Sequence, residues 1–288
     1  MVARKETGRS KIIDSHQHVW DPSARAQPWL ESDAALAPLR RRFVVSDLAP
    51  EAQAAGVTAT VVVQTVTEPG ETPELLALAA LEPLIGAVVG WTDLTDQAVP
   101  AELARLSGLP GGRCLTGIRH PLLTEPAPDW LSRPDVRRGL SAVAAAGMCF
   151  DLVLQPRQLP DVVAVAAGLP ELTFVLDHLG NVEVGPHMDA AWAGAFAALA
   201  ALPNTVCKLS GILGAATASE IRPYFDLALD CFRPGRLMFG SDWPVCTLSA
   251  SYATVVAAAA ELTASLSEME QHAILAGTAS RVYRIASA

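Results

Sequence analysis

Short apolar runs rich in β-branched residues recur along the chain, and stretches with helical spacing separate them. Eight runs stand out, at residues 12–19, 59–66, 85–91, 115–120, 148–155, 172–178, 205–210 and 236–241. Several, among them ATVVVQTV, IGAVVGW and LTFVLDH, are apolar on both alternations. Strands covered on both faces read this way, which points to a parallel sheet. Between the runs, Ser46-Asp47 opens a helical pattern that stops at Gly56, a cap-and-stop pairing. Thr72-Pro73-Glu74 opens the next, and Pro134-Asp135 begins one that ends at Gly147. Residues 188–201, 219–231 and 250–264 are alanine-rich and long enough for three or more turns. Ser267 with Glu270 three residues on has the form of a capping box over 267–276.

Eight alternating strand and helix units predict a single-domain (β/α)8 TIM barrel. A doubly wound open sheet would bring a Gly-rich phosphate turn, and neither GxGxxG nor GxxxxGK[ST] occurs. No Pro/Gly/Ser-rich linker divides the chain. The expected organisation is a flexible tail over residues 1–11 followed by one barrel over 12–288. The longest gap, residues 21–42, follows the first strand and carries Trp29, so it is expected to form a lid or pocket wall.

Composition narrows the function. The 288 residues carry 21 Lys and Arg against 30 Asp and Glu, a net charge of −9. An acidic chain repels phosphate backbones, so no nucleic-acid partner is expected. Hydrophobic residues make up 51% and charged ones 18%, the reverse of a disordered composition. No apolar stretch reaches a membrane-spanning length without a charge, and the polar N-terminus lacks a leader-like apolar segment. The five cysteines are odd in number and no pair has CxxC spacing. They read as free thiols of a reducing compartment, so a cytoplasmic protein is expected. A homo-oligomer stays open.

In such a barrel, catalytic groups sit at the C-terminal ends of strands. The first run ends Asp14-Ser15-His16-Gln17-His18. With a period of two, His16 and His18 share a side, about 7 Å apart along the strand, and Asp14 lies one layer deeper on that side. Two imidazoles there can hold a divalent metal or polarise a carbonyl oxygen. The sixth run ends in His178 before a Gly, and the eighth ends Ser241-Asp242-Trp243-Pro244. Asp242, partly desolvated, can act as a general base on water. Taken singly, each is equally readable as a structural histidine or a loop cap.

Arg119 and His120 end the fourth run, where Arg119 could grip a substrate through its planar fork or form an ion pair across the barrel. Lys208 in the seventh run is costly to bury unless paired, and reads as an ion-pair partner. Gln64, Trp91, Asp151 and Gln155 mark further strand ends as pocket lining. His187 and His272 read as surface residues. No serine occupies a GxSxG elbow, which disfavours a serine hydrolase.

The ordered series IIDSHQHVWDP, WTDL, GIRH, FDLVLQP, FVLDHLG, CKLSG and FGSDWPVC resembles the amidohydrolase 2 branch of the amidohydrolase superfamily. More narrowly it resembles the sugar-lactone and 2-pyrone-4,6-dicarboxylate lactonases, over nearly the whole chain. The resemblance implies a distorted barrel that hydrolyses a small cyclic ester. His16 and His18 match the family's strand-one HxH, His178 its strand-six histidine, and Asp242 its strand-eight aspartate, the base for the hydrolytic water. The strand-four and strand-five ends, Arg119 and Gln155, depart from the ligands of two-metal members. One zinc-like divalent ion on His16, His18, His178 and Asp242 is then compatible with the pattern, and so is catalysis without metal. Substrate contacts are expected from Arg119, His120, Trp29, Gln64 and Trp91. A dicarboxylate lactone would need several arginines, and only Arg119 and Arg42 are candidates, so a sugar lactone such as an aldono-lactone is favoured. A metal-dependent non-oxidative decarboxylase is the alternative, and a barrel that binds a sugar acid without turnover a more distant one.

Overall fold

A computed structural model describes residues 11–286 except residue 128. The expected tail over 1–11 therefore lies outside the described residues, apart from Lys11. Eight strands occur in the predicted order: β1 (Ile12–Gln17), β2 (Val57–Val63), β3 (Ile85–Gly90), β4 (Leu115–Pro121), β5 (Cys149–Val153), β6 (Phe174–Leu176), β7 (Thr205–Leu209) and β8 (Leu237–Phe239). Each pairs in parallel with the next, in one sheet ordered β1 to β8. The fold is a (β/α)8 TIM barrel. β6 and β8 are shorter than their apolar runs: beyond each strand the backbone leaves the extended form, at His178 and at Asp242, both with left-handed φ.

The barrel closes between β1 and the segment after β8. Asp242 N–H donates to His16 O at 2.8 Å, and His18 N–H donates to Trp243 O at 2.7 Å. Gly240 permits this approach: a Cβ there would lie 2.8 Å from His16 Cβ.

The outer helices bury their apolar faces against the strands, and Trp192, Phe196, Tyr224, Phe225, Phe232 and Tyr252 fill much of that layer. A second cluster fills the barrel itself. Ile13, Val61, Val63, Ala87, Val89, Val175, Val206 and Met238 point inward, and Ala276, Ala279, Tyr283 and Ile285 of the C-terminal segment pack against them. The predicted 267–276 helix begins after Ser267, whose side chain accepts from Glu270 N–H as expected of the box. It continues through a π-helical turn at Ala273–Gly277 to Val282. The Val45–Ala55 helix starts one residue before Ser46, and Asp47 accepts Val44 N–H at 3.0 Å. Gly56, at φ 79°, ends it as predicted. Among the described residues no helix is long and apolar enough to cross a membrane.

Candidate active site

The structure brings His16, His18, His178 and Asp242 together at one mouth of the barrel. His16 Nε2 and His18 Nε2 are 3.1 Å apart, and Asp242 Oδ1 lies 3.7 Å from the first and 3.6 Å from the second. The rings of His16 and His178 have centroids 4.5 Å apart. His18 Nδ1–H donates to Val63 O at 2.7 Å, which aims its other nitrogen at the cluster. His178 Nδ1 lies 2.9 Å from Ser210 Oγ. Local backbone sets two of these groups. His178 and Asp242 both adopt left-handed φ, 54° and 60°. Non-glycine residues there are strained, and such strain concentrates at functional sites. Gly211 leaves room for the imidazole, since a Cβ on it would come within 2.9 Å of the His178 side chain.

Above the cluster opens a cavity of about 580 Å³, lined by His18, Arg119, His178 and Asp242 together with Trp29, Gln64 and other residues. Its size suits a monosaccharide-sized ligand. His16 is fully buried beneath it, whereas the side chains of the other three histidine and aspartate residues reach its floor. Trp29 belongs to the 21–42 segment, which forms two short 3₁₀ turns and folds back over the barrel through the Trp20–Phe43 bridge.

Beneath the floor lies a buried charge network. Lys208 Nζ donates to Asp151 Oδ2 at 2.6 Å, forms an ion pair with Asp177 Oδ1 at 2.9 Å and lies 3.1 Å from His16 Nδ1. Arg119 pairs with Asp177 Oδ2 at 3.1 Å and donates to Gln64 Oε1 at 3.0 Å. Tyr283 O–H donates to Asp151 at 2.7 Å from the sealed end. Burial opposes the charge on Lys208, but Asp151 and Asp177 outweigh it and hold the ammonium above its ordinary value. Burial likewise opposes ionisation of Asp177, and Lys208, His16 and Arg119 overcome it, so its carboxyl stays well below the usual range. Asp242 is also held below that range, because His178, His18 and His16 outweigh its burial. Burial lowers His16, with Lys208 adding to the effect, and burial lowers His178. The site therefore sets a carboxyl that favours its ionised form, Asp242, beside two imidazoles, His16 and His178, whose protonation burial opposes.

Several expectations change. Asp14 does not share the face of His16. β1 carries an extra residue, with Asp14 opposite Thr60 and Gln17 opposite Val62, and this bulge breaks the alternation. Asp14 instead faces Tyr252 in the helix layer. Trp91 and His120, expected as substrate contacts, are not among the residues lining the cavity. His120 follows Arg119 on β4 and so points the other way. It stacks on Trp130 with centroids 3.9 Å apart, accepts the Trp91 indole N–H and meets Glu125 at 2.9 Å. Arg42 has a largely exposed side chain 3.4 Å from Asp21, and it is absent from this lining too. Asp151 lies below the pocket rather than on its wall, and Gln155 donates to Leu123 O. Lys208 is the buried ion-pair partner that its apolar strand implied. His187 and His272 are exposed, and all five cysteines are free.

Sequence reasoning passed over Asp177, Ser210, Ser241 and Asn181. Asp177 and Ser241 directly precede His178 and Asp242. A polar residue beside a strand-end candidate was the available signal.

The amidohydrolase family profile matches residues 13–285, so the chain belongs to the amidohydrolase family. It is 38% identical to an L-fucono-1,5-lactonase of Burkholderia multivorans, over 95% of this chain and 96% of that one. It is 36% identical to an L-fucono-1,5-lactonase of Burkholderia ambifaria, over 83% of this chain and 82% of the relative. A crystal structure of an amidohydrolase from Burkholderia multivorans with bound zinc superposes with a TM-score of 0.89, at 37% identity, covering 96% of this chain and 99% of the other.

The donor set here fits such an ion. The His16, His18 and Asp242 atoms form a triangle whose corners all lie about 2 Å from its centre, the usual zinc–nitrogen and zinc–oxygen bond length. Two imidazoles and a carboxylate are also zinc's ordinary ligands.

Proposed function

We propose that this protein is a lactonase that opens a small, neutral sugar lactone, with L-fucono-1,5-lactone and its near isomers as the first substrates to test. The observation that carries the reading is the Asp242 carboxylate grouped with His18 and His178 on the floor of a sugar-sized cavity, with His16 directly beneath. The likeness to two L-fucono-1,5-lactonases supports it. Among the described lining residues Arg119 is the one lysine or arginine, and Asp177 already neutralises it. That suits a neutral lactone better than a dicarboxylate. The free thiols support a cytoplasmic setting.

In this mechanism Trp29 and Gln64 position the sugar, with the lactone carbonyl oxygen toward Arg119 and the histidines. Water attacks the carbonyl carbon while the Asp242 carboxylate takes one of its protons. Preorganised positive partners at the developing oxyanion are usually the largest catalytic contribution. The ring C–O bond then breaks, and protonated Asp242 returns the proton to the leaving alkoxide. The product is an open hydroxy acid, which ionises in neutral solution. His16, His18 and Asp242 would hold a divalent ion, which when bound would polarise the carbonyl and acidify water. Without one, the same histidines and Arg119 would polarise the oxygen directly.

The test is a pH-indicator assay over a panel of aldono-1,4- and 1,5-lactones plus 2-pyrone-4,6-dicarboxylate, each with and without chelator. Hydrolysis of L-fucono-1,5-lactone or an isomer with kcat/KM above about 10⁴ M⁻¹s⁻¹ supports the reading. Silence on every aldono-lactone would sink it.

A further inference from the structure

We infer that Asp14, from the helix-facing side of β1, is a positioning residue that sets the Asp242 turn and His16 in register for the reaction. The inference rests on the lactonase reading for its kinetic test only.

Asp14 is fully buried, and among the described residues it forms no ion pair. A buried carboxylate without a cation is costly unless hydrogen bonds satisfy it. Four donors converge on it. His16 N–H and Ser241 N–H reach Oδ1 at 3.1 and 2.8 Å, and Ser241 Oγ–H and Tyr252 O–H reach Oδ2 at 2.6 and 3.1 Å. Ser241 Oγ in turn accepts Trp243 N–H at 2.9 Å.

Ser241 and Trp243 flank Asp242, whose left-handed φ of 60° is disfavoured for a residue with a Cβ. The hub thus grips both neighbours of the strained residue and the backbone of His16 at once. Asp242 N–H completes the clamp by donating to His16 O. No side chain of the hub touches the cavity. Only an acceptor-only group serves four donors. Asn offers one oxygen and places an NH₂ against O–H donors. A residue meant only to fill this place would not need a charge.

The experiment measures kcat, KM and melting temperature for Asp14→Asn, Ser241→Ala and Tyr252→Phe. It also records the imidazole NMR signals of His16 and His18 in substrate-free protein. We expect kcat to fall about 100-fold in Asp14→Asn, the cost of displacing reacting groups by about 1 Å. KM should stay within about threefold, since the cavity wall is untouched. The milder Ser241→Ala and Tyr252→Phe keep the test decisive if Asp14→Asn does not fold. Ser241→Ala should lower kcat about tenfold, and Ser241→Thr, which keeps the hydroxyl, should restore most of it. The imidazole signals should shift in Ser241→Ala.

Wild-type-like kcat in Asp14→Asn or Ser241→Ala would overturn the inference, and so would unmoved imidazole signals. Suppose the wild type hydrolyses no lactone while those signals still shift. Then the positioning role stands and the lactonase reading falls.

Discussion

Lys208 and Asp151 meet at 2.6 Å under the cavity floor, with neither side chain exposed. Asp177 shares the same ammonium, so one cation serves two buried carboxylates. Breaking a buried pair from one side leaves an uncompensated charge and typically costs about 3–5 kcal/mol. Lys208→Met should therefore lose about that much stability in urea denaturation, and Lys208→Met with Asp151→Asn should recover part of it. A Lys208→Met protein as stable as wild type would show that the network is not holding the floor together.

Asp242→Asn keeps size and shape and removes the carboxylate proposed to accept the proton. General-base catalysis is worth roughly 10²- to 10⁴-fold, so kcat should fall within that range while the melting temperature stays close to wild type. Near-normal lactone turnover in this variant would remove Asp242 from its assigned role.

Acid should destabilise the fold from about pH 6.5 downward. Burial lowers His16 and His178, so the folded chain refuses protons that unfolded histidines accept near 6.5. The unfolded state then binds more protons, and stability falls as pH falls. Each histidine contributes a slope of up to about 1.4 kcal/mol per pH unit. Asp14, which burial pushes up to about 6, acts in the opposite sense, because the folded state protonates it first. Its share is a gain in stability on acidification from about 6 toward 4, which partly offsets the histidine loss. Denaturation midpoints at pH 8, 6.5 and 5 check the sign, and a midpoint that rises from 8 to 6.5 would contradict it.

Arg25 ties the cavity wall together. It reaches Glu68, which lines the cavity, and Glu74 at 2.6 Å on the next helix, from the same 21–42 segment that carries Trp29. Exposed ion pairs add little stability, so Arg25→Met should cost less than about 1 kcal/mol. Its effect should fall on substrate binding, with KM raised about threefold or more and kcat held, because a loosened wall segment no longer closes on the sugar. Wild-type KM should also rise with ionic strength as salt screens the pair. A KM unchanged by both perturbations would detach this ion pair from binding.

Much of the architecture was legible in one dimension. The β-branched runs and the caps between them marked eight strands and the helical stretches, because a strand buried on both faces leaves few polar residues to confuse the pattern. His16, His18, His178 and Asp242 stood out for the same reason: they are polar residues at the ends of greasy strands. The 21–42 segment announced itself as the one long gap.

Facing was less legible. Alternation placed Asp14 beside His16, and one bulged residue in β1 turned it outward to Ser241 and Tyr252. His120 and Trp91 sat at strand ends as Arg119 and Gln64 did, yet they found each other and Trp130 instead of the cavity.

By itself the sequence determined the barrel, the end of it where the candidate groups gather and the kinds of group available there. Local periodicity and local caps specify those features, and both are written in neighbouring residues. Only the tertiary structure decided which groups touch. Lys208 meets His16 across 192 positions of sequence, and Asp14 meets Tyr252 across 238. Such contacts leave no periodic trace, because they are set by barrel closure and strand register, which exist only once the whole sheet has formed.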